Sequence, residues 1–232
     1  MCVKPHELGA FVPELDKQNT LQVPTALISG RGLLCERDDR VLFSDLNFDW
    51  HTGQIVRICG ANGSGKSTLI RILLGLSASY EGDLYFNGKP MQAACYDFRS
   101  ELLYLGHQVG TKASLTPEEN LKWLCPYASK VDIYGALAKV GLSGFEDVLA
   151  QGLSAGQQRR VALARLYLEP KRIWILDEPF TAIDKDGVEQ LEQHIIEHAQ
   201  NGGLVVLTTH HQLAVDVQEL VLGAQTASEA IN

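Results

Sequence analysis

Gly60, Ala61, Asn62, Gly63, Ser64, Gly65, Lys66, Ser67 and Thr68 stand in a row. Residues of these types at this spacing hold phosphate. Glycines let the backbone bend until successive N–H groups point inward at anionic oxygens. A helix starting at the end of the loop adds the positive end of its dipole. Lys66 reaches the outer phosphates of a nucleoside triphosphate, and the Ser67 hydroxyl can ligate Mg²⁺. The flanks suit this reading: an apolar run ending at Cys59 comes before the loop, and an apolar-periodic stretch follows it.

A second cluster ends another apolar run. Ile173, Trp174, Ile175 and Leu176 lead directly into Asp177 and Glu178. A carboxylate at the end of a buried strand beside a phosphate loop holds the metal ion of a phosphoryl-transfer site, which fits Asp177. Glu178, one residue on, can polarise an attacking water. Alone, the pair reads equally well as acids ending a strand in solvent. The phosphate loop is what tips the balance.

These groups need elements to position them. Residues 54–59 read as a short buried strand. Residues 66–76 read as a helix with Leu69, Ile70, Leu73 and Leu76 on one face. Leu27 and Ile28, Leu33 and Leu34, residues 41–43 and residues 46–48 suggest a small antiparallel β layer before the loop. Residues 84–86 form a further strand, closed by the turn pair Asn87 and Gly88. The middle, about 90–168, is mostly helical in character. There Thr116, Pro117 and Glu119 spell a capped helix start. Residues 172–176 and 203–207 are core strands separated by a helix near 186–199. Apolar runs separated by helices imply an α/β fold with a parallel sheet covered on both faces.

Other residues have two readings each. Ser154 is a good N-cap with Gln157 at the capping-box position, and a helix N-terminus with a free hydroxyl is also an anion site. Asp184 caps the helix after it or serves a site. Gln108 is an exposed glutamine after a strand or a site residue. His210 follows the last core strand; His51, His194 and His198 have no motif and are assigned to the surface.

Leu153, Ser154, Ala155, Gly156, Gln157, Gln158, Arg159 and Arg160, then residues 161–166, resemble the signature helix of the ABC ATPase family closely. The resemblance runs from about residue 26 to near the end, with the motifs in family order. Ala155 departs from the usual glycine. The resemblance implies a P-loop NTPase fold of the ABC type: a mixed central sheet, an antiparallel β layer and a helical subdomain. It implies a domain over 26–232, with the helical subdomain at about 90–168 between two parts of a RecA-like core. Residues 1–25, with Pro5, Pro13 and Pro24 and no sustained periodicity, lie outside that pattern and read as a flexible extension. The resemblance further implies that Gln108 is the glutamine loop, sensing Mg²⁺ and water. Asp184 is the acid of the D-loop, and His210 is the switch histidine at the γ-phosphate. Ser154, Gly156 and Gln157 would close over ATP held by a second copy of the chain, head to tail. The family usually stacks an aromatic side chain on adenine ahead of the first β segment. Residues 35–40 contain none, so Arg37 or Arg40 is expected to lay its guanidinium on the base.

Within the family, residues 33–38, 105–108, 142–147, 154–160 and 174–184 are similar to the ATP-binding subunits of haem exporters that serve cytochrome c maturation. That implies ATP hydrolysis coupled to integral membrane transporter subunits, at the cytoplasmic face of the bacterial inner membrane. An ATPase of another exporter with a different cargo shares every nucleotide motif.

Bulk properties narrow the field further. The chain has 232 residues, 45% of them hydrophobic, enough to bury a core without disulfides. The formal net charge is −8, which argues against nucleic acid as a partner. The cysteine count is five with no C-x-x-C spacing, which fits free thiols in a reducing compartment. No haem-attachment pattern appears, so direct haem binding is not expected. No apolar run approaches the roughly 18 residues of a membrane span, and the N-terminus does not read as a secretory signal.

Overall fold

A computed structural model describes residues 25–108 and 110–223. The expected N-terminal extension lies outside them, except for Thr25. Strands β1 (Ile28–Arg37) and β2 (Arg40–Trp50) form a long antiparallel hairpin, which turns at Asp38 and Asp39 in left-handed backbone. Strand β3 (Ile55–Cys59) leads into the phosphate loop and helix α1 (Lys66–Leu73). Next come β4 (Glu81–Phe86) and the two-residue β5 (Lys89–Pro90), joined by Asn87 and Gly88 at positive φ, as the turn pair predicts. Helix α1 stops short of the expected Leu76. Gly75 takes a φ of 67°, which ends the helix and leaves Leu76 exposed.

Helix α2 (Cys95–Glu101) precedes β6 (Leu102–Leu105). Helix α3 (Pro117–Leu124) has the expected capping box between Thr116 and Glu119. Helices α4 (Lys130–Lys139) and α5 (Ala155–Leu163) follow, then β7 (Ile173–Asp177), α6 (Lys185–Gln200), β8 (Leu204–Thr208) and β9 (Gln218–Val221).

The strands make two sheets. One is antiparallel, in the order β2-β1-β4-β5; the other has the order β6-β7-β8-β3-β9 and is parallel at every pairing. The antiparallel layer is as expected, but the central sheet, expected to be mixed, has only parallel pairings among the described residues. Strand β6, within the mostly helical middle, is the edge of the parallel sheet.

Alternation along the buried strands sends side chains to opposite faces. Ile173 and Ile175 join Val56, Ile58, α1 and the antiparallel sheet in one core. Trp174 and Leu176 join Val205, Leu207 and the α6 residues Leu191 and Ile195 in another. A third core unites α3, α4 and α5 through Leu121, Ile133, Leu137 and Val161. Helix α5 bridges two cores, with Ala162 and Leu163 against the sheet and Val161 among the helices.

The parallel sheet fixes the site. Leu105 pairs with Leu176, Asp177 with Thr208, and Arg57 with Leu207. The carboxyl ends of β6, β7, β8 and β3 therefore open at one rim, where α/β sheets bind ligands.

Candidate nucleotide site

The phosphate loop is shaped by backbone. Gly60 and Gly65 take φ of 150° and 99°. A Cβ on Gly60 would come within 2.8 Å of the Leu222 carbonyl, so only glycine fits there. Gly65 is the N-cap of α1 and supplies no side-chain hydrogen bond, which leaves the first N–H groups of the helix for a ligand. Among the described residues the buried Ser64 hydroxyl has no hydrogen-bond partner. An uncapped helix start and an unpartnered buried hydroxyl are what a bound triphosphate would satisfy. Lys66 Nζ donates to the carbonyls of Gly60 at 2.7 Å and Ala61 at 3.1 Å, so its charge lies over the loop.

A cavity of about 690 Å³ opens at this rim. Asn62, Gly63, Gly65, Lys66, Ser67 and Thr68 line one side, and Asp177, Glu178 and Thr208 line another. Arg37 and Arg40, from the β1–β2 turn, also border it, so both arginines proposed for the base reach the cavity.

The acids are held by their neighbours. Asp177 Oδ1 accepts from the Thr208 hydroxyl at 2.6 Å. The Glu178 N–H donates to the Thr208 hydroxyl oxygen at 3.0 Å and to the Thr208 carbonyl at 3.1 Å. Glu178 takes a φ of 51°, left-handed backbone that is uncommon for a non-glycine residue and needs outside support. Asp177 and Ser67 border the cavity together, and carboxylate and hydroxyl oxygens are donors that suit a hard divalent ion such as Mg²⁺.

His210 Nε2 lies 3.7 Å from Glu178 Oε1, with its side chain largely exposed. The cavity lining takes in His107 rather than Gln108, which is exposed beside it. Ser154, Gly156, Gln157 and Asp184 do not line the cavity. Ser154 caps α5 by a reciprocal pair: Gln157 N–H to Ser154 Oγ at 3.2 Å and Ser154 N–H to Gln157 Oε1 at 2.9 Å. Gly156 sits so close to the next loop that a Cβ would come within 2.6 Å of the Ala182 carbonyl. Asp184 caps α6 through Gly187 N–H and pairs with Arg160 at 2.7 Å. The Gly187 hydrogen bond first, then Arg160, hold its carboxyl below the usual carboxylate range.

Two residues of this neighbourhood were not singled out from the sequence. Thr208 falls there just after the core strand 203–207, with no role of its own. Arg159 reads as one of two basic residues on a helix, yet it is 4% exposed and donates to four carbonyls. Burial pulls its guanidinium pKa below the ordinary value, and the carboxylates of Asp177 and Glu178 pull it back up. Among the histidines assigned to the surface, His194 and His198 are instead half-buried. His194 stacks on Tyr167 with ring centroids 3.9 Å apart, and His198 stacks on Trp174 at 3.7 Å. Their spacing on one face of α6 puts both imidazoles over the sheet.

The family described as "ABC transporter" matches residues 43–181. The chain is 55% identical over 185 residues to the cytochrome c biogenesis ATP-binding export protein CcmA of Pseudomonas fluorescens, covering 78% of this chain and 88% of that one. It is 49% identical over 205 residues to the protein of the same name in Hahella chejuensis, covering 86% and 97%. In structure it is similar to a dimeric ATP-binding cassette in a post-hydrolysis state bound to ADP and Pi. The TM-score there is 0.68 at 23% identity, over 79% of this chain and 88% of that one. Among the described residues no helix is long and apolar enough to cross a membrane. The rim that joins a phosphate loop to a strand-end carboxylate pair is that of an ATP-hydrolysing subunit, and the chain belongs to the ABC transporter family, alongside the cytochrome c biogenesis ATP-binding export proteins.

Proposed function

We propose that this chain hydrolyses ATP to power haem export, or haem release from a haem chaperone, during cytochrome c maturation. The observation that carries the reading is the single cavity shared by Lys66 and Ser67 on one side and Asp177 and Glu178 on the other. The loop N–H groups of residues 60–68 and Lys66 hold the phosphates. Ser67, Asp177 and Gln108 would hold Mg²⁺, which supplies charge neutralisation at the β- and γ-phosphate oxygens. Glu178 takes up a proton from the attacking water, and His210, next to its carboxylate, steadies the γ-phosphate.

Ser154, Gly156, Gln157 and Asp184 lie outside the cavity of their own chain, which supports their use from a second copy closing head to tail. In that arrangement they reach the nucleotide held by the partner. Closure then drives integral membrane subunits of the CcmB/CcmC type at the cytoplasmic face of the bacterial inner membrane. The relatives named for cytochrome c biogenesis support this assignment of the pathway. Nucleic acid and direct haem binding have no place in it.

The test is a strain lacking this chain, scored for haem-stained holocytochrome c. Loss of holocytochrome c, restored by the wild-type chain and not by Glu178→Gln, supports the reading. Normal holocytochrome c in the deletion strain assigns the ATPase to another exporter with a different cargo.

A further inference from the structure

Arg159 occupies an unusual position for a charged side chain. It lies in α5, yet its guanidinium is buried and directed at the rim of the parallel sheet. Nη1 donates to the Gly106 carbonyl at 2.7 Å and the His107 carbonyl at 3.3 Å. Nη2 donates to the Asp177 carbonyl at 3.0 Å and the Glu178 carbonyl at 2.8 Å. One fork thus ties the segment entering the glutamine loop to the backbone that carries the two acids. Burying a guanidinium is costly unless its donors are matched, and here the partners are carbonyl dipoles rather than a carboxylate. The remaining N–H, on Nε, is buried with no partner among the described residues, so the site tolerates a cost to keep the fork in place.

Glu178 gains most from that fork. Its backbone is left-handed at φ 51°. From one side the Thr208 hydroxyl and carbonyl hold its N–H; from the other, Arg159 holds its carbonyl. These bonds fix the peptide units on both sides of the Glu178 Cα, and so the direction in which its carboxylate leaves the chain. The neighbouring Arg160 pairs with Asp184, so successive residues of α5 brace the acid pair and the loop after it.

We infer that Arg159 is a positioning residue for hydrolysis: it sets the Glu178 carboxylate and the start of the glutamine loop, without touching nucleotide. The inference rests on the proposed role of Glu178. A displacement of the base by about 1 Å is enough to cost on the order of a hundredfold in rate. Arg159→Met removes the fork and keeps the aliphatic stem. Arg159→Lys keeps the charge, but its single ammonium cannot span carbonyls from two segments.

The experiment measures kcat and KM for ATP, nucleotide Kd and thermal melting for four proteins besides wild type: Arg159→Met, Arg159→Lys, Glu178→Gln, and Glu178→Gln combined with Arg159→Met. The expected result for both Arg159 variants is a folded protein with kcat down by roughly ten- to a hundredfold and KM and Kd within about threefold. In the Glu178→Gln background, Arg159→Met is expected to cause no further loss. Wild-type kcat in Arg159→Lys, a rise in KM at unchanged kcat, additive losses in the double variant, or failure of both Arg159 single variants to fold each overturns the inference. Absence of ATPase activity in the wild-type chain, or full activity in Glu178→Gln, would instead contradict the functional reading beneath it, whatever Arg159 does.

Discussion

The Thr208 hydroxyl donates to Asp177 Oδ1 at 2.6 Å while accepting from the Glu178 N–H at 3.0 Å. One buried side chain at the end of β8 therefore orients both acids at the end of β7. The parallel register makes this contact, because Asp177 and Thr208 are paired neighbours on adjacent strands. Replacing Thr208 by valine keeps the shape and removes the hydroxyl, leaving a buried carboxylate oxygen without its donor. We predict that Thr208→Val lowers kcat more than it raises nucleotide Kd. It should also lose about 1–3 kcal/mol of stability to denaturant. Serine at the same position should restore most of both.

Lys66 lies over the phosphate loop, bonded among the described residues only to loop carbonyls. Its removal therefore disturbs the ligand more than the fold. Lys66→Ala is expected to melt close to wild type and to bind ATP roughly ten- to a hundredfold more weakly, the cost of about 1.5–3 kcal/mol for a hydrogen bond to a charged group. Titration with a fluorescent ATP analogue reads this directly.

Arg37 and Arg40 both border the cavity, in a segment without aromatic side chains. A guanidinium stacked on a base contributes about 0.5–2 kcal/mol. Either Arg37→Ala or Arg40→Ala should weaken ATP binding by roughly two- to thirtyfold while leaving inorganic triphosphate binding unchanged. Unchanged ATP affinity in both variants would remove arginine from the base site.

The imidazoles of His194 and His198 are held below their ordinary pKa of 6.5, chiefly by burial. Hydrogen bonds to the Leu166 and Arg172 carbonyls partly oppose that fall, as does the Glu197 carboxylate at His194. A lowered pKa means the folded state resists the proton that the unfolded chain accepts. Their contribution to stability is then full above about pH 6.5 and falls as the pH drops below it. The melting temperature should decline between pH 7 and pH 5.5. His198→Phe keeps the stack on Trp174 and should flatten that decline.

The phosphate loop, the capped start of α3 and the strand ending in Asp177 and Glu178 were legible because each is local. Their residue types answer to the backbone within a turn or two. Arg159 was not, since its burial depends on carbonyls from two segments that meet only in the folded chain. The stacked histidines escaped for a related reason. The spacing of His194 and His198 on α6 was visible, but their partners Tyr167 and Trp174 come from elsewhere. Gly156 shows the converse. Its need for glycine is already met inside one chain by the Ala182 carbonyl, a constraint separate from any ligand across an interface.

On the proposed mechanism, Glu178 activates water at a site completed by a second copy. Steady-state ATPase activity of Glu178→Gln, read beside its sedimentation with ATP and Mg²⁺, tests this most directly. Turnover should fall by at least about a hundredfold, together with an ATP-dependent dimer that persists. Near-wild-type turnover in that variant, or a monomer at saturating ATP, would contradict that mechanism.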